Sequence, residues 1–260
     1  MTDAEIDRGA QAPAVLKAVR ILDLLAQSPG RAKALSEIAR NLGIAKSSTS
    51  NLCASLEEGG LIRRTDGGYL LGRRTVELGS AYLAGFDQIR EFYRICDESE
   101  VLSHHLVQIA MLDGARVLYL AVHEGRERFP LSASVGDRYP ASATAVGTAL
   151  LAELNPRDIE ALYRDPSLLV TLTNRSTADL DSLTRKLELT RERGYAIDEG
   201  EVHLSVLGIA VTVPSTRAGE PSFAIGVSMV HPHNTEADRE TALAALRDAA
   251  ATLTRPVLVA

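Results

Sequence analysis

Between residues 35 and 71 the apolar positions change their spacing twice. They fall at Leu35, Ile38, Ala39 and Leu42, break at Gly43, and resume at Thr49, Leu52, Cys53 and Leu56, with Thr49 the small member. Each set follows i, i+3, i+4, i+7, the period that lays one stripe of an α-helix against a core. After Gly59-Gly60, residues 61–64 and 69–71 flank Thr65-Asp66-Gly67-Gly68, a strong hairpin-turn signal. The pattern predicts a short bracing helix, a joint at Gly43, a second helix over 45–58 with small hydroxyl residues on its free face, and a two-stranded wing. One helix that braces while the next presents polar side chains to a groove is the helix-turn-helix arrangement.

Upstream, Val15, Ala18, Val19, Leu22, Leu25 and Ala26 predict another amphipathic helix, stopped by Ser28-Pro29-Gly30. Residues 1–13 show no period and read as a flexible tail. The expected organisation is therefore a winged helix-turn-helix DNA-binding domain over 14–75, a linker or dimerisation helix over 76–87, and a second domain over 88–260. In that second domain helices are expected at 88–103, 144–154, from Asn155-Pro156, at 179–193 and from Thr235 to 253. Strands are expected at 105–112, 116–123, 129–134, 195–197, 208–213 and 222–230, with 135–140 a loop. Asp113-Gly114 marks a tight turn between the first two strands. Hairpins followed by helices, without strict β-α-β alternation, predict an α+β class with an antiparallel sheet covered by helices.

Composition bounds the function. The chain has 260 residues, 45% hydrophobic and 24% charged, which suits a globular protein of two domains. No apolar run approaches the roughly 18–20 residues of a membrane span, and the acidic N-terminus has no apolar signal core. Two cysteines, one of them on a buried helix stripe, exclude a disulfide framework. A cytoplasmic protein with no membrane partner is expected. The net charge of −6 argues against a nucleic-acid partner until the chain is divided. Residues 15–75 carry +5 and residues 76–260 carry −9, a basic head on an acidic body. Phosphate attraction acts within about one Debye length, so the local balance is the relevant one.

The chain resembles the IclR family of bacterial transcription regulators over nearly its whole length. The resemblance is carried by Val15-Leu-Lys-Ala-Val-Arg-Ile-Leu-Asp-Leu-Leu25, Leu35-Ser-Glu-Ile-Ala39, Gly43-Ile-Ala-Lys-Ser47 and Tyr69-Leu-Leu-Gly72. It continues in Leu131-Ser-Ala-Ser-Val-Gly136, Ala143-Thr-Ala-Val-Gly147, Arg193-Gly-Tyr-Ala-Ile-Asp-Glu199 and Ile225-Gly-Val-Ser228. No single motif is specific; their order and spacing are. The resemblance implies a winged helix-turn-helix, a linker helix that helps to dimerise, and a GAF-like C-terminal domain that binds a small effector. It also implies a regulator, a repressor on family grounds, acting as a homodimer or homotetramer on a partly palindromic double-stranded operator.

Carried onto this chain, the family pattern puts Lys46 and Ser47 at the start of the recognition helix near phosphates, where a helix N-terminus favours anions. Ser48, Ser50 and Asn51 are the candidates for base edges, and Asn pairs well with adenine. Arg63 and Arg64 lie where a wing strand flanks the backbone. The family usually has a larger polar residue near Ser50 and often Arg near Asn51, so fewer strong base contacts are expected here. In the C-terminal domain the resemblance implies that Ala145 and Val146 offer backbone N–H groups to a ligand carboxylate. Leu131 and Tyr139 match apolar wall positions, Asp198 an acidic one, and Ser228 a retained serine. Gly208 stands where the family often has Cys, and Gly226 where it often has Ser. Losing two side chains predicts a roomier, less polar pocket and a larger effector, an aromatic acid instead of a two- or three-carbon oxoacid.

Other chemistry finds little support. His231-Pro-His233 precedes a helix cap with no third ligand at useful spacing, and adjacent His104 and His105 point apart in extended chain. The sequence has no Gly-x-Ser-x-Gly elbow, no phosphate loop and no Cys-x-x-Cys. Neither a cofactor nor a catalytic set is expected. Two other classes stay open at this stage: an enzyme with an appended DNA module, distinguished by turnover of a candidate effector, and a winged helix used only for protein contact, distinguished by the absence of salt-dependent DNA binding.

Overall fold

Two compact units, Met1–Gly85 and Phe86–Ala260, divide the chain. The computed structural model describes residues 12–126, 133–215, 221–230 and 234–254. The first unit contains α1 (Pro13–Ala26), α2 (Leu35–Leu42), α3 (Lys46–Glu58), β1 (Ile62–Thr65), β2 (Gly68–Leu71) and α4 (Arg74–Leu83). Its core joins Ile21 and Leu25 of α1, Ile38 of α2, Cys53 and Leu56 of α3, and Ile62 and Tyr69 of the wing. Gly43 closes α2 in the left-handed region at φ 65°, where a side chain would be strained.

The buried face of α1 matches the expected one in part: Leu25 is buried and Ala18 and Leu22 pack against the core. Lys17, Ile21 and Leu25 are buried, whereas Val15 and Val19 are 61% and 45% exposed. The helix carries apolar residues on two overlapping faces, and the core takes the i, i+4 series 17, 21, 25, with the aliphatic stem of Lys17 standing in for a hydrophobe. The wing also gains a third partner. The Lys33 amide donates to Tyr69 O at 3.0 Å, and the Tyr69 amide donates to Lys33 O at 2.9 Å. Any Cβ on Gly68 would lie 2.2 Å from the Lys33 carbonyl oxygen, so this close crossing needs glycine. No residue of α4 is buried, and Val76 is 69% exposed.

The second unit is built on a six-stranded antiparallel sheet, ordered β5-β4-β3-β8-β7-β6. Its strands are β3 (Leu106–Asp113), β4 (Arg116–His123), β5 (Arg138–Pro140), β6 (Ala196–Glu199), β7 (Val206–Val213) and β8 (Phe223–Val230). The helices are α5 (Asp87–Glu98), α6 (Ala145–Ala152), α7 (Pro156–Leu162), α8 (Leu180–Arg193) and α9 (Glu236–Thr254). Helices α6 and α8 pack together with α6 on the sheet, while α9 packs on β7, β8 and α5. Strand alternation assigns the faces: Ala110, Ala210 and Ala224 join the α6–α8 core, so Ile109, Ile209 and Ile225 turn to the opposite face.

The α+β architecture is the expected one, with local differences. Residues 138–140, expected in a loop, form β5 against β4, pairing Arg116 with Pro140. Proline is tolerated there because an edge strand needs no donor on its outer side. The helix expected to reach 103 ends at Glu98, and a short 3-10 turn spans Leu102–His104. Leu131, most of the strand expected at 129–134, and His231 and His233 lie outside the described residues. Among the described residues no helix is long and apolar enough to cross a membrane.

Candidate functional site

Two surfaces follow from this framework, one in each unit. On α3 the buried positions are Thr49, Cys53 and Leu56. At 100° per residue, Ser47 and Asn51 stand directly opposite that stripe, and Ser48 and Ser50 occupy its two flanks. Lys46, Ser47, Ser50 and Asn51 are exposed, and Ser48 is half-buried. The N-cap residue Ala45 supplies no side-chain acceptor, so the first-turn amides of α3 point outward uncapped. That end therefore combines free N–H donors, the positive end of the helix dipole and Lys46, a combination suited to phosphate. Arg63 and Arg64 are exposed on β1 and project from opposite faces of the ribbon. The Arg64 guanidinium carbon lies 5.9 Å from the Tyr69 ring centroid.

In the second unit, strand register brings distant residues into rows. Asp198 pairs with Gly208, Gly208 with Ser228, and Ser228 with Leu106. The next row runs Ala196, Ala210, Gly226 and Gln108. Directly opposed residues share a sheet face, so both rows look toward α6. Above them α6 begins at Ala145, with Thr144 Oγ1 accepting the Gly147 amide at 3.0 Å. Together these elements line a cavity of about 50 Å³. At roughly 10–15 Å³ per water, it holds about three to five waters or a small organic molecule.

Tyr139, Ala145, Val146, Asp198, Gly208, Gly226 and Ser228 all line this one cavity. The glycines, however, do not leave it roomy. A Cβ on Gly226 would lie 2.7 Å from Val146 Cγ1, and one on Gly208 would lie 3.2 Å from Ala145 Cβ. The space over both glycines is filled by α6, which rests on the sheet there. The two glycines are contact points for α6 and add no volume, which corrects the expectation of an enlarged pocket.

The polar groups are few and specific. The Ala145 and Val146 amides lie in the first turn of α6 and have no intrahelical acceptor. Gln108, buried in β3, donates from Nε2 to Ser228 Oγ at 3.1 Å, which leaves the Ser228 hydroxyl proton for another acceptor. Asp198 is 2% exposed, and its Oδ1 accepts the Glu201 amide at 2.6 Å. Burial pushes its carboxyl up to about 7. Tyr119 and Tyr139 form the aromatic wall, with ring centroids 5.4 Å apart, and burial raises both phenols. Behind the wall, Lys186 Nζ donates to Glu201 Oε1 at 2.5 Å and to Ser142 O at 2.8 Å. Glu201 Oε2 accepts from the Thr177 amide and hydroxyl, so this ion pair is hydrogen-bonded on both sides.

Sequence reasoning missed Gln108, Tyr119, Lys186 and Glu201. Gln108 had a readable signal, a lone amide in the apolar run from 106 to 111. Among the described residues no group of three or more His, Cys, Asp or Glu is placed to hold a metal ion.

Comparison with known proteins agrees with this architecture. The model of the IclR helix-turn-helix domain matches residues 14–66, and that of the bacterial transcriptional regulator IclR C-terminal domain matches residues 80–255. The HTH-type transcriptional regulator XynR of Escherichia coli is 29% identical over 201 residues, covering 76% of this chain and 79% of that one. The crystal structure of a regulator of this family from Alicyclobacillus acidocaldarius, 25% identical, superposes with a TM-score of 0.80 over 94% of this chain and 98% of that one. An IclR homologue from Microbacterium hydrocarbonoxydans, crystallised with 4-hydroxybenzoate, is 24% identical, with a TM-score of 0.76 over 93% of this chain and 97% of that one. That last likeness is one of fold. With both domain models matched in order, the chain belongs to the IclR family of bacterial transcription regulators, pairing a DNA-binding helix-turn-helix with an effector-binding C-terminal domain, and is not an enzyme.

Proposed function

We propose that this protein is a repressor that binds a partly palindromic operator as a dimer or tetramer and is controlled by a small organic acid held in the C-terminal cavity. The observation that carries the reading is the α6 N-terminus. It opens into a small pocket, with two backbone donors in its first turn and apolar and aromatic walls around them. A carboxylate is the group such a terminus receives best, with the rest of the molecule against Tyr119 and Tyr139. The two rings favour an aromatic acid, by edge or offset stacking.

On the DNA side, Lys46 and Ser47 hold phosphates, Ser48, Ser50 and Asn51 face base edges, and Arg63 and Arg64 flank the backbone. Pairing of chains is part of the reading: Leu78 and Tyr82 are exposed one turn apart on α4, an apolar strip of the kind a second copy covers. The test is fluorescence anisotropy with DNA from upstream of the gene. Affinity should fall by roughly 10³-fold or more between 50 and 200 mM salt if six or more phosphates are neutralised. Benzoate or pyruvate should then shift the operator curve while leaving binding to scrambled DNA unchanged. A flat salt response would refute the DNA reading, and an operator curve indifferent to acids would refute the effector class.

A further inference from the structure

The charges around the cavity constrain the effector beyond its being an acid. Among the described residues that line it, Asp198 is the one charged residue, and no Lys, Arg or His is among them. The groups facing Asp198 can be taken element by element. Helix α6 and strand β7 contribute Ala145, Val146 and Gly208, which carry no charge. Strands β4 and β5 contribute the phenols Tyr119 and Tyr139, with Asp137 just before β5 acting on both as a like charge to Asp198. Helix α8 contributes Lys186, and the turn after β6 contributes Glu201 and His203.

Lys186 is not available to neutralise a ligand. Its ammonium is held by Glu201 Oε1 and Ser142 O, and the Glu201 carboxylate is completed by Thr177. That pair is neutral as a unit. His203 Nδ1 is turned to the Ser205 amide at 3.2 Å. Asp198 receives backbone N–H groups from Glu201 and Val202, and among the described residues no cation is hydrogen-bonded to it. A ligand carboxylate at the α6 N-terminus would bring a second negative charge into a space of about 50 Å³ beside it.

Two carboxylates in one small buried site do not both stay ionised. We propose that the cavity admits monoanionic acids with Asp198 in its neutral, protonated form, and excludes dianions for want of a counter-cation. Neutral Asp198 then becomes a donor to the ligand, complementing the α6 amides and the Ser228 hydroxyl. Burial already holds its carboxyl near half-protonation at neutral pH, at about 7. The phenols, raised by burial, stay neutral in this range. This inference rests on the reading of the cavity as an acid site given above.

Isothermal titration calorimetry on the full-length protein tests it with two isosteric pairs, malonate against malonamate and terephthalate against 4-carbamoylbenzoate. Within each pair the shape is nearly constant and one charge is removed. At pH 8 the monoanion should bind at least tenfold tighter than its dianion. Its Kd should rise about tenfold from pH 6 to pH 8, since binding then requires a proton on a group titrating near 7. At pH 8, buffers of different ionisation heat should report close to one proton taken up per ligand. In Asp198→Asn, whose amide is neutral at every pH, the slope and the proton uptake should vanish. Equal affinities within a pair, a flat wild-type profile, or a slope that survives in Asp198→Asn would overturn this proposal while leaving the acid site standing. No binding by any of the four probes would overturn the acid site and this proposal together.

Discussion

Gly226 gives the sharpest test of how the cavity is built. A Cβ at this position would meet Val146 Cγ1 at 2.7 Å, Ile209 O at 3.2 Å and Ala210 Cβ at 3.3 Å. The first distance is well inside van der Waals contact, and Val146, at 3% exposed, has little room to turn away. Gly226→Ala therefore overpacks the joint between β8 and α6, at a cost of about 1–3 kcal/mol. The entropy gained by replacing a strand glycine offsets only about 0.4–1 kcal/mol of that. For a unit of this size, each kcal/mol lowers Tm by roughly 2–4 °C. The fall should thus be a few degrees in a thermal melt, with a matching shift in urea midpoint at unchanged slope. The specific claim is that the cost comes from Val146. Val146→Ala removes the clashing methyl group, so the double variant should cost less than the sum of the singles by about 1 kcal/mol or more. Strictly additive effects, or a stabilised Gly226→Ala, would refute the view that α6 rests on the two glycines.

Three further outcomes follow from the same geometry. Lys46→Ala should weaken binding to operator and scrambled DNA alike and reduce the salt slope by about one, whereas Asn51→Ala should relax discrimination at particular base pairs in a binding-site selection; equal loss on both DNAs for Asn51→Ala would remove it from base reading. Lys186→Met should destabilise the protein by about 3–5 kcal/mol in urea melts at neutral pH, because Glu201 would be left buried without its cation; a change under 1 kcal/mol would show that Thr177 alone satisfies the carboxylate. Asp198 carries a folded carboxyl raised from 3.8 to about 7, so its contribution is fully present below the unfolded value and is lost as pH rises through the folded one, on the order of 4 kcal/mol in all. Asp198→Asn should accordingly be more stable than wild type at pH 8 and lose that advantage near pH 4; a variant less stable at pH 8 would show that the ionised carboxylate is accommodated.

What could be read from the sequence, and what could not, follows from how local each feature is. The stripes of α2 and α3 were legible because each is one helix face meeting one core, and the Asp-Gly turn of the wing is set by four residues. Helix α1 was legible in part, because Val15 and Val19 offer an apolar face that competes with Ile21, and only the position of α2 and α3 decides between them. Strand β5 was hidden by Pro140, which marks a loop in isolation and an edge strand in context. Lys186 and Glu201 look like ordinary surface charges, since nothing within 15 residues of chain reveals that each is the other's buried partner. Their pairing depends on α8 crossing behind the turn after β6.

The glycines of β7 and β8 teach the converse lesson. A sequence shows which atoms Gly208 and Gly226 lack; it does not show which neighbour moves into the space. Here the neighbour is α6: a Cβ on Gly226 would meet Val146 and one on Gly208 would meet Ala145, so the space over both glycines is already occupied. The first turn of α6 thus brings backbone donors and a helix dipole to the same cavity that Asp198 and Ser228 line. A site built this way discriminates less by size than by charge, which is why the protonation of Asp198 carries so much of its predicted selectivity.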